Sequence, residues 1–339
     1  MAEAWRRVGA IVNPGAGSGI AVQSVRDALS ALGAKEVLTG PGPTGAGALS
    51  DWQGHVVAHE VTARSGREQT GALARWIVAQ NVDAIVVVGG DGTLADVAQV
   101  LVELSCRAPV LGIGAGSTNV GRLITCRVGE VSELRPEKLE TWNVACLAAR
   151  VDGDLMGQAF NDVVVGQTIV GTLDGQVRDI DAAERHRGVL VAGSPRPVGT
   201  SKTKVIRRNK DGETVVAQGE GVGTVVAGFA EPAFFGKAVS GGICLATLTG
   251  LPAGCLVSSL PLVQVEITAS ALLRAAPIVS SYVTLSEGVN IVVENVCDGA
   301  VLCVDGNPLR VLSSSERVII SSHENAVTGV RFRKNLRST

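Results

Sequence analysis

Aromatic side chains are scarce in this chain: only 3% of its 339 residues are Phe, Trp or Tyr, and Tyr282 is the single tyrosine, although 46% are hydrophobic. A core built with so few rings must come from Val, Leu, Ile and Ala. Paired cysteines are also missing. The seven present (Cys106, Cys126, Cys146, Cys244, Cys255, Cys297 and Cys303) are odd in number and show no CxxC spacing. That disfavours both a zinc site and the disulfide framework of a small secreted domain, and leaves buried free thiols as the expectation. No excess of one charge exists either; the net charge of -2 gives no long-range reason to bind nucleic acid or an anionic membrane. There is no apolar run of roughly 18 residues to cross a bilayer. The start, Met1 to Arg7, leads directly into an apolar strand without the apolar stretch of a signal peptide. A soluble cytoplasmic protein with no integral membrane segment is therefore expected. What the chain has in abundance is glycine, 42 residues dispersed without a fixed period. Tight turns and backbone-lined ligand loops account for them best.

The first third alternates strand and helix patterns. Val8 to Val12 reads as a strand, Val22 to Leu32 as a helix, Gly54 to Val61 as a strand and Glu68 to Gln80 as a helix. Asp83 to Val88 reads as a strand, Leu94 to Leu104 as a helix and Pro109 to Ile113 as a strand. Continuous apolar strands between amphipathic helices imply a parallel sheet with helices on both faces. Glu137 to Arg150 can be one last helix. Beyond it short β-type runs dominate: 159–165, 188–192, 203–206, 223–227, 264–268, 289–294, 300–304 and 317–321. The expected architecture is an N-terminal α/β domain over residues 1–130 and an all-β, sandwich-like C-terminal domain over 131–339. The boundary falls within 125–150, and the last residues could return to the first domain.

Three Gly-rich loops follow strands of the first domain, at the strand ends where open α/β sheets bind ligands. The first is Asn13-Pro14-Gly15-Ala16-Gly17-Ser18-Gly19. It suits either a structural turn or a phosphate approached by backbone N–H groups at a helix N-terminus, and it lacks the Lys-Ser/Thr of a Walker A loop. The second is Gly89-Gly90-Asp91-Gly92-Thr93. Flanking glycines leave the Asp91 carboxylate standing in an open loop, where it could accept a proton from a substrate hydroxyl or hold a metal ion while amides bind phosphate. Thr93 would cap the next helix. The third runs from Gly112 to Gly121, and Ser117, Thr118 and Asn119 supply neutral donors for a polyphosphate or a sugar hydroxyl. Together the loops point to a nucleotide triphosphate and phosphorylation of a small-molecule hydroxyl.

The Gly89-Gly90-Asp91-Gly92-Thr93 string, preceded by the Asn-Pro-x-Ala-Gly loop at 13–17, resembles the superfamily that joins NAD kinases with diacylglycerol and sphingosine kinases. Gly116-Ser117-Thr118-Asn119-Val120, Pro197 to Ser201 and Leu302-Cys303-Val304-Asp305-Gly306 are most similar to its ATP-NAD kinase-like group, which contains the acetoin catabolism protein X. The resemblance implies ATP with Mg²⁺ or another divalent cation as donor. It assigns Asp91 as general base or metal-orienting carboxylate, with no metal site formed by protein ligands alone. It implies nucleotide contacts from Asn13, Pro14, Gly15, Gly17, Gly89, Gly90, Gly92, Thr93, Ser117, Thr118 and Asn119. NAD or a related small molecule would be the acceptor, in a homo-oligomer. The acceptor-binding Asn-Glu pair of NAD kinases is matched by Asn161-Asp162, one methylene shorter (about 1.5 Å), and Asp305 would stand near it. Asp305-Gly306 also reads as a hairpin turn.

Two further functions remain open on the sequence: a lipid kinase, whose acyl cleft the apolar stretch Ala246 to Pro261 could line, and a nucleotide-binding regulatory protein without turnover. The His55/His59 pair lies on a strand and lacks the Glu of a zinc-protease helix. Arg185-His186-Arg187, Lys202, Lys204, Arg207 and Arg208 read as solvated charges, or as cations for substrate phosphates.

Overall fold

A computed structural model of the chain describes residues 5–13, 15, 20–62, 66–116, 119, 121–229, 253–260 and 279–333. The expected turn at 63–65, the expected strand at 264–268, Cys244 and half of the apolar stretch 246–261 lie outside these residues. The chain divides into two compact units, Met1–Val144 with Asn325–Thr339, and Ala145–Glu324.

In the first unit β1 (Arg7–Val12), α1 (Ile20–Leu32), β2 (Glu36–Thr39), β3 (His55–Ala58), α2 (Gly66–Ala79), β4 (Ala84–Gly89), α3 (Asp91–Glu103), β5 (Val110–Gly114) and β6 (Ile124–Arg127) follow one another. Their sheet is parallel, in the order β3-β2-β1-β4-β5-β6. Every residue of β4 and β5 is buried, which explains their unbroken apolar sequence: a strand covered on both faces has no solvent side to mark with polar residues. Val8, Ala10 and Val12 pack with Val25, Ala28, Leu29 and Leu32 of α1. The alternate position Gly9 faces Ile77 of α2, on the other side of the sheet. Burying each such Val, Leu or Ile contributes about 1.5–3 kcal/mol. β2 escaped the sequence reading because only Val37 and Leu38 lie between polar neighbours, too short a run to signal a strand.

From β1 the chain moves outward through β2 to β3, then returns to the other side of β1 for β4 and β5. The strand order therefore reverses between β1 and β4. The crevice beyond the carboxyl ends of such a pair is where open α/β sheets take ligands.

The chain enters the second unit within β7 (Leu139–Val151). There it forms β8 (Asp154–Ala159), β9 (Asp162–Gly166), β10 (Thr168–Leu173), β11 (Gln176–Asp181), the short α4 (Ala182–His186), β12 (Lys204–Asn209), β13 (Gly212–Gln218), β14 (Thr224–Phe229), β15 (Ala253–Ser258), β16 (Ser280–Leu285), β17 (Asn290–Glu294), β18 (Val301–Val304) and β19 (Asn307–Val311). It leaves within β20 (Arg317–Phe332). One antiparallel sheet has the order β16-β15-β14-β9-β18-β19, and the β13-β12-β17-β20 run is antiparallel as well. Val163, Val165, Val225, Val257 and Leu302 of the first meet Val205, Ile291, Val293 and Ile320 of the second in one core. Ile169, Ile180 and Ala182 cover Val164, Val226 and Cys303 on the opposite face. The fold is thus an α/β unit followed by an all-β unit of antiparallel sheets.

The helix expected over Glu137 to Arg150 is corrected: after a short 3-10 turn at Pro136–Lys138, the segment is β7. Its partner β8 follows across Asp152-Gly153, both with positive φ (49° and 100°). An Asp-Gly pair of this kind is the preferred two-residue hairpin turn. Thr141, Trp142 and Val144 also favour a strand.

Candidate functional site

The loops at the ends of β1, β4 and β5 are tied together atom by atom. The Asn13 N–H donates to the Val88 carbonyl at 2.9 Å, and the Ala115 N–H donates to the Gly89 carbonyl at 2.9 Å. The side chain of Asn13 bridges two loops: Nδ2 donates to Thr93 Oγ1 at 2.7 Å, and Oδ1 accepts the Gly15 N–H at 2.9 Å. Gly90 and Gly116 approach backbone to backbone, since a Cβ on Gly116 would lie 2.8 Å from the Gly90 Cα. Asn119, with φ 49°, accepts the Gly116 N–H at 2.7 Å and so shapes its own loop. Pro14, Gly17, Ser117 and Thr118 lie outside the described residues.

Two expectations about the central motif change. Asp91 does not stand in an open loop; it is the first residue of α3, and Gly90 is the N-cap. Thr93 accordingly does not cap the helix. It is buried in the first turn, with its hydroxyl against Asn13. The placement of Asp91 has a clear electrostatic cause, because a carboxylate in the first turn is favoured by the helix dipole by about 0.3–1 kcal/mol. Asp91 Oδ1 also accepts the Gly121 N–H at 2.8 Å, which fixes the carboxylate against the third loop. Gly92, one residue further on, faces open space: a Cβ there would meet nothing within 4 Å. Helix N-terminal amides, three glycines and an oriented carboxylate form an arrangement suited to phosphate and to a proton acceptor.

The family profile for the diacylglycerol kinase catalytic domain matches residues 7–126, the span that holds all three loops. Residues 7–126 thus belong to the diacylglycerol kinase catalytic-domain family. An uncharacterized protein of Archaeoglobus fulgidus is 35% identical over 232 residues, 68% of this chain and 69% of that one. Among solved structures, a candidate diacylglycerol kinase from Bacillus anthracis superposes with a TM-score of 0.54 at 15% identity, covering 96% of this chain and 97% of that one. Yeast NADH kinase complexed with NADH gives 0.52 at 12% identity, over 98% of this chain and 85% of that one. At such identities the structural likeness establishes the fold alone.

In the second unit, Asp305 and Gly306 form the β18–β19 turn, as their sequence suggested, with φ 46° and 74°. The Asp305 carboxylate then gathers a neighbouring segment. It accepts the N–H of Phe160 at 2.9 Å, of Asn161 at 2.7 Å and of Asp162 at 3.0 Å. The Asp162 side chain is in a different situation: burial first, and the charge of Asp305 second, push its carboxyl up to about 7. Burial also pushes the thiols of Cys126, Cys146 and Cys255 up to about 12 and raises Cys303 further, so these cysteines are inert packing residues.

His55 pairs with Glu36 at 3.3 Å and His59 stacks on Trp76 at 4.5 Å between centroids, so neither is arranged as a metal ligand. Among the described residues no group of three or more His, Cys, Asp or Glu could hold a metal ion. Of the basic residues, Arg187 pairs with Glu184 and Arg208 with Glu213, as solvated ion pairs. The sequence reading did not single out Gly121 as a site residue. Its spacing carries no signal, because its role depends on a contact with Asp91 made between the loops that follow the adjacent strands β4 and β5.

Proposed function

We propose that this chain is an ATP-dependent kinase that phosphorylates a small-molecule hydroxyl, with the 2′-hydroxyl of the NAD adenosine ribose as the first acceptor to test. Asp91 carries this reading. It sits at the first turn of a helix, beyond the end of β4 where the strand order reverses, with Oδ1 held by the Gly121 N–H. Asp91 takes the proton of the acceptor hydroxyl as that oxygen bonds to the γ-phosphorus. The bond from the γ-phosphorus to the β–γ bridging oxygen breaks, and ADP leaves with the electron pair. Such a transfer depends on positioning and charge neutralisation more than on covalent help. The amides around Gly90, Gly92 and Gly116 supply the positioning, and the open space beside Gly92 gives phosphate oxygens room to approach the backbone. A divalent cation would neutralise charge on the phosphates; it would be held mainly by phosphate oxygens, with Asp91 the carboxylate of these loops near enough to contribute. Asn161 and Asp162 are the residues proposed to recognise the acceptor.

A second reading, a lipid kinase, is favoured by the diacylglycerol kinase profile over residues 7–126. One experiment separates them. Purified chain with Mg²⁺ and γ-labelled ATP is offered NAD, NADH, diacylglycerol and a sphingoid base in parallel. Label in NADP supports the first reading and label in the lipid supports the second. Tight ATP binding with no labelled product from any acceptor would instead identify a nucleotide-binding protein without turnover.

A further inference from the structure

Trp142 on β7, within the first unit, holds two cations: the guanidinium carbons of Arg122 and Arg331 each lie 5.1 Å from its ring centroid. Two positive charges on one indole would repel, and Glu140 offsets this by pairing with Arg331 Nε at 2.7 Å. The ring is closely fitted, since a Cβ on Gly329 of β20 would lie 2.9 Å from Trp142 Nε1. Arg122 is the residue next to Gly121, and the Gly121 N–H is the donor that orients Asp91 at 2.8 Å. A turn that begins on glycine has wide backbone freedom. The Ile124 N–H closes this turn on the Gly121 carbonyl at 3.0 Å, and Arg122 on the Trp142 ring is the adjacent anchor outside it.

We infer that Trp142 is a positioning residue: through Arg122 it fixes the 121–123 turn, and so holds the Gly121 N–H on the Asp91 carboxylate. This rests on the reading of Asp91 as the proton acceptor, which it deepens. The test is amide exchange of ¹⁵N-labelled full-length protein, read at Gly121. In Trp142→Ala the Gly121 amide exchanges about tenfold faster or more, while amides of β4 and β5 keep their protection. Trp142→Phe, which keeps a ring face for Arg122, restores slow exchange. Arg122→Gln, which leaves Trp142 in place, reproduces the loss even if Trp142→Ala fails to fold. In the transfer assay, Trp142→Ala lowers kcat about tenfold with KM for ATP within about twofold, and Trp142→Phe recovers it. A folded Trp142→Ala or Arg122→Gln protein with unchanged exchange at Gly121 overturns the inference, as does a loss confined to KM. Exchange is read without turnover. An inactive wild-type chain would therefore count against the role of Asp91, while the exchange result still judges Trp142.

Discussion

Asp305 and Asp162 are adjacent carboxylates with opposite tasks. Asp305 is committed to the backbone, accepting three N–H groups from residues 160–162. Hydrogen bonds to a charged acceptor are worth about 1.5–3 kcal/mol each, so Asp305→Ala should cost about 3 kcal/mol or more, read from urea unfolding. A loss below about 1 kcal/mol would mean that solvent replaces those bonds. Asp162 pays the electrostatic cost of the arrangement. Its carboxyl titrates near 7, against about 3.9 for an unperturbed Asp. The folded state then holds a proton that the unfolded chain releases, so stability is lost as pH rises from about 4 to about 7. Asp162→Asn should abolish this part of the slope, measured as Tm against pH. Asp305→Asn should shift it to lower pH by removing the neighbouring charge. Equal slopes in wild type and Asp162→Asn would show that Asp162 is not the titrating group.

At the level of elements, two glycines of the motif loops, Gly116 and Gly92, should behave differently on substitution. Gly116→Ala places a methyl carbon 2.8 Å from the Gly90 Cα, where only backbone could yield. The β4 and β5 loops must part, and both Tm and nucleotide affinity should fall. Gly92→Ala meets nothing within 4 Å and lies in the first turn of α3, where alanine is at least as well accepted as glycine. Its Tm should hold or rise while ATP affinity falls about tenfold, because the new methyl occupies space assigned to phosphate oxygens. Calorimetric titration decides it; undiminished affinity in Gly92→Ala would place the phosphates elsewhere.

The same scale shows what the sequence could reveal. β1, β4 and β5 were legible because buried parallel strands are continuous apolar runs, and the motif glycines lie at their ends. β2 was not, because four residues carry too little pattern. β7 was misread as a helix because its apolar residues were weighed without the Asp152-Gly153 turn that pairs it with β8. Three sets of contacts, within one unit or the other, were hidden for another reason. Gly121 on Asp91, Arg122 and Arg331 on Trp142, and Asp305 on residues 160–162 all join positions distant in sequence. Only the fold brings such positions together.

Over the whole molecule, an α/β unit followed by an all-β unit is the fold shared with yeast NADH kinase and the candidate diacylglycerol kinase of Bacillus anthracis, at identities too low to transfer a substrate. Among the described residues no helix is long and apolar enough to cross a membrane. Acceptor choice must therefore be read from product. The central claim is that Asp91 takes the proton during phosphoryl transfer, and its most direct test compares wild type with Asp91→Asn. Both are assayed with Mg²⁺ and γ-labelled ATP on whichever acceptor the wild type labels. Removing a general base typically costs about 10²–10⁴-fold. A fall of that size in kcat, with ATP binding retained by calorimetry, is the expected result. Label transferred by Asp91→Asn at the wild-type rate would contradict it.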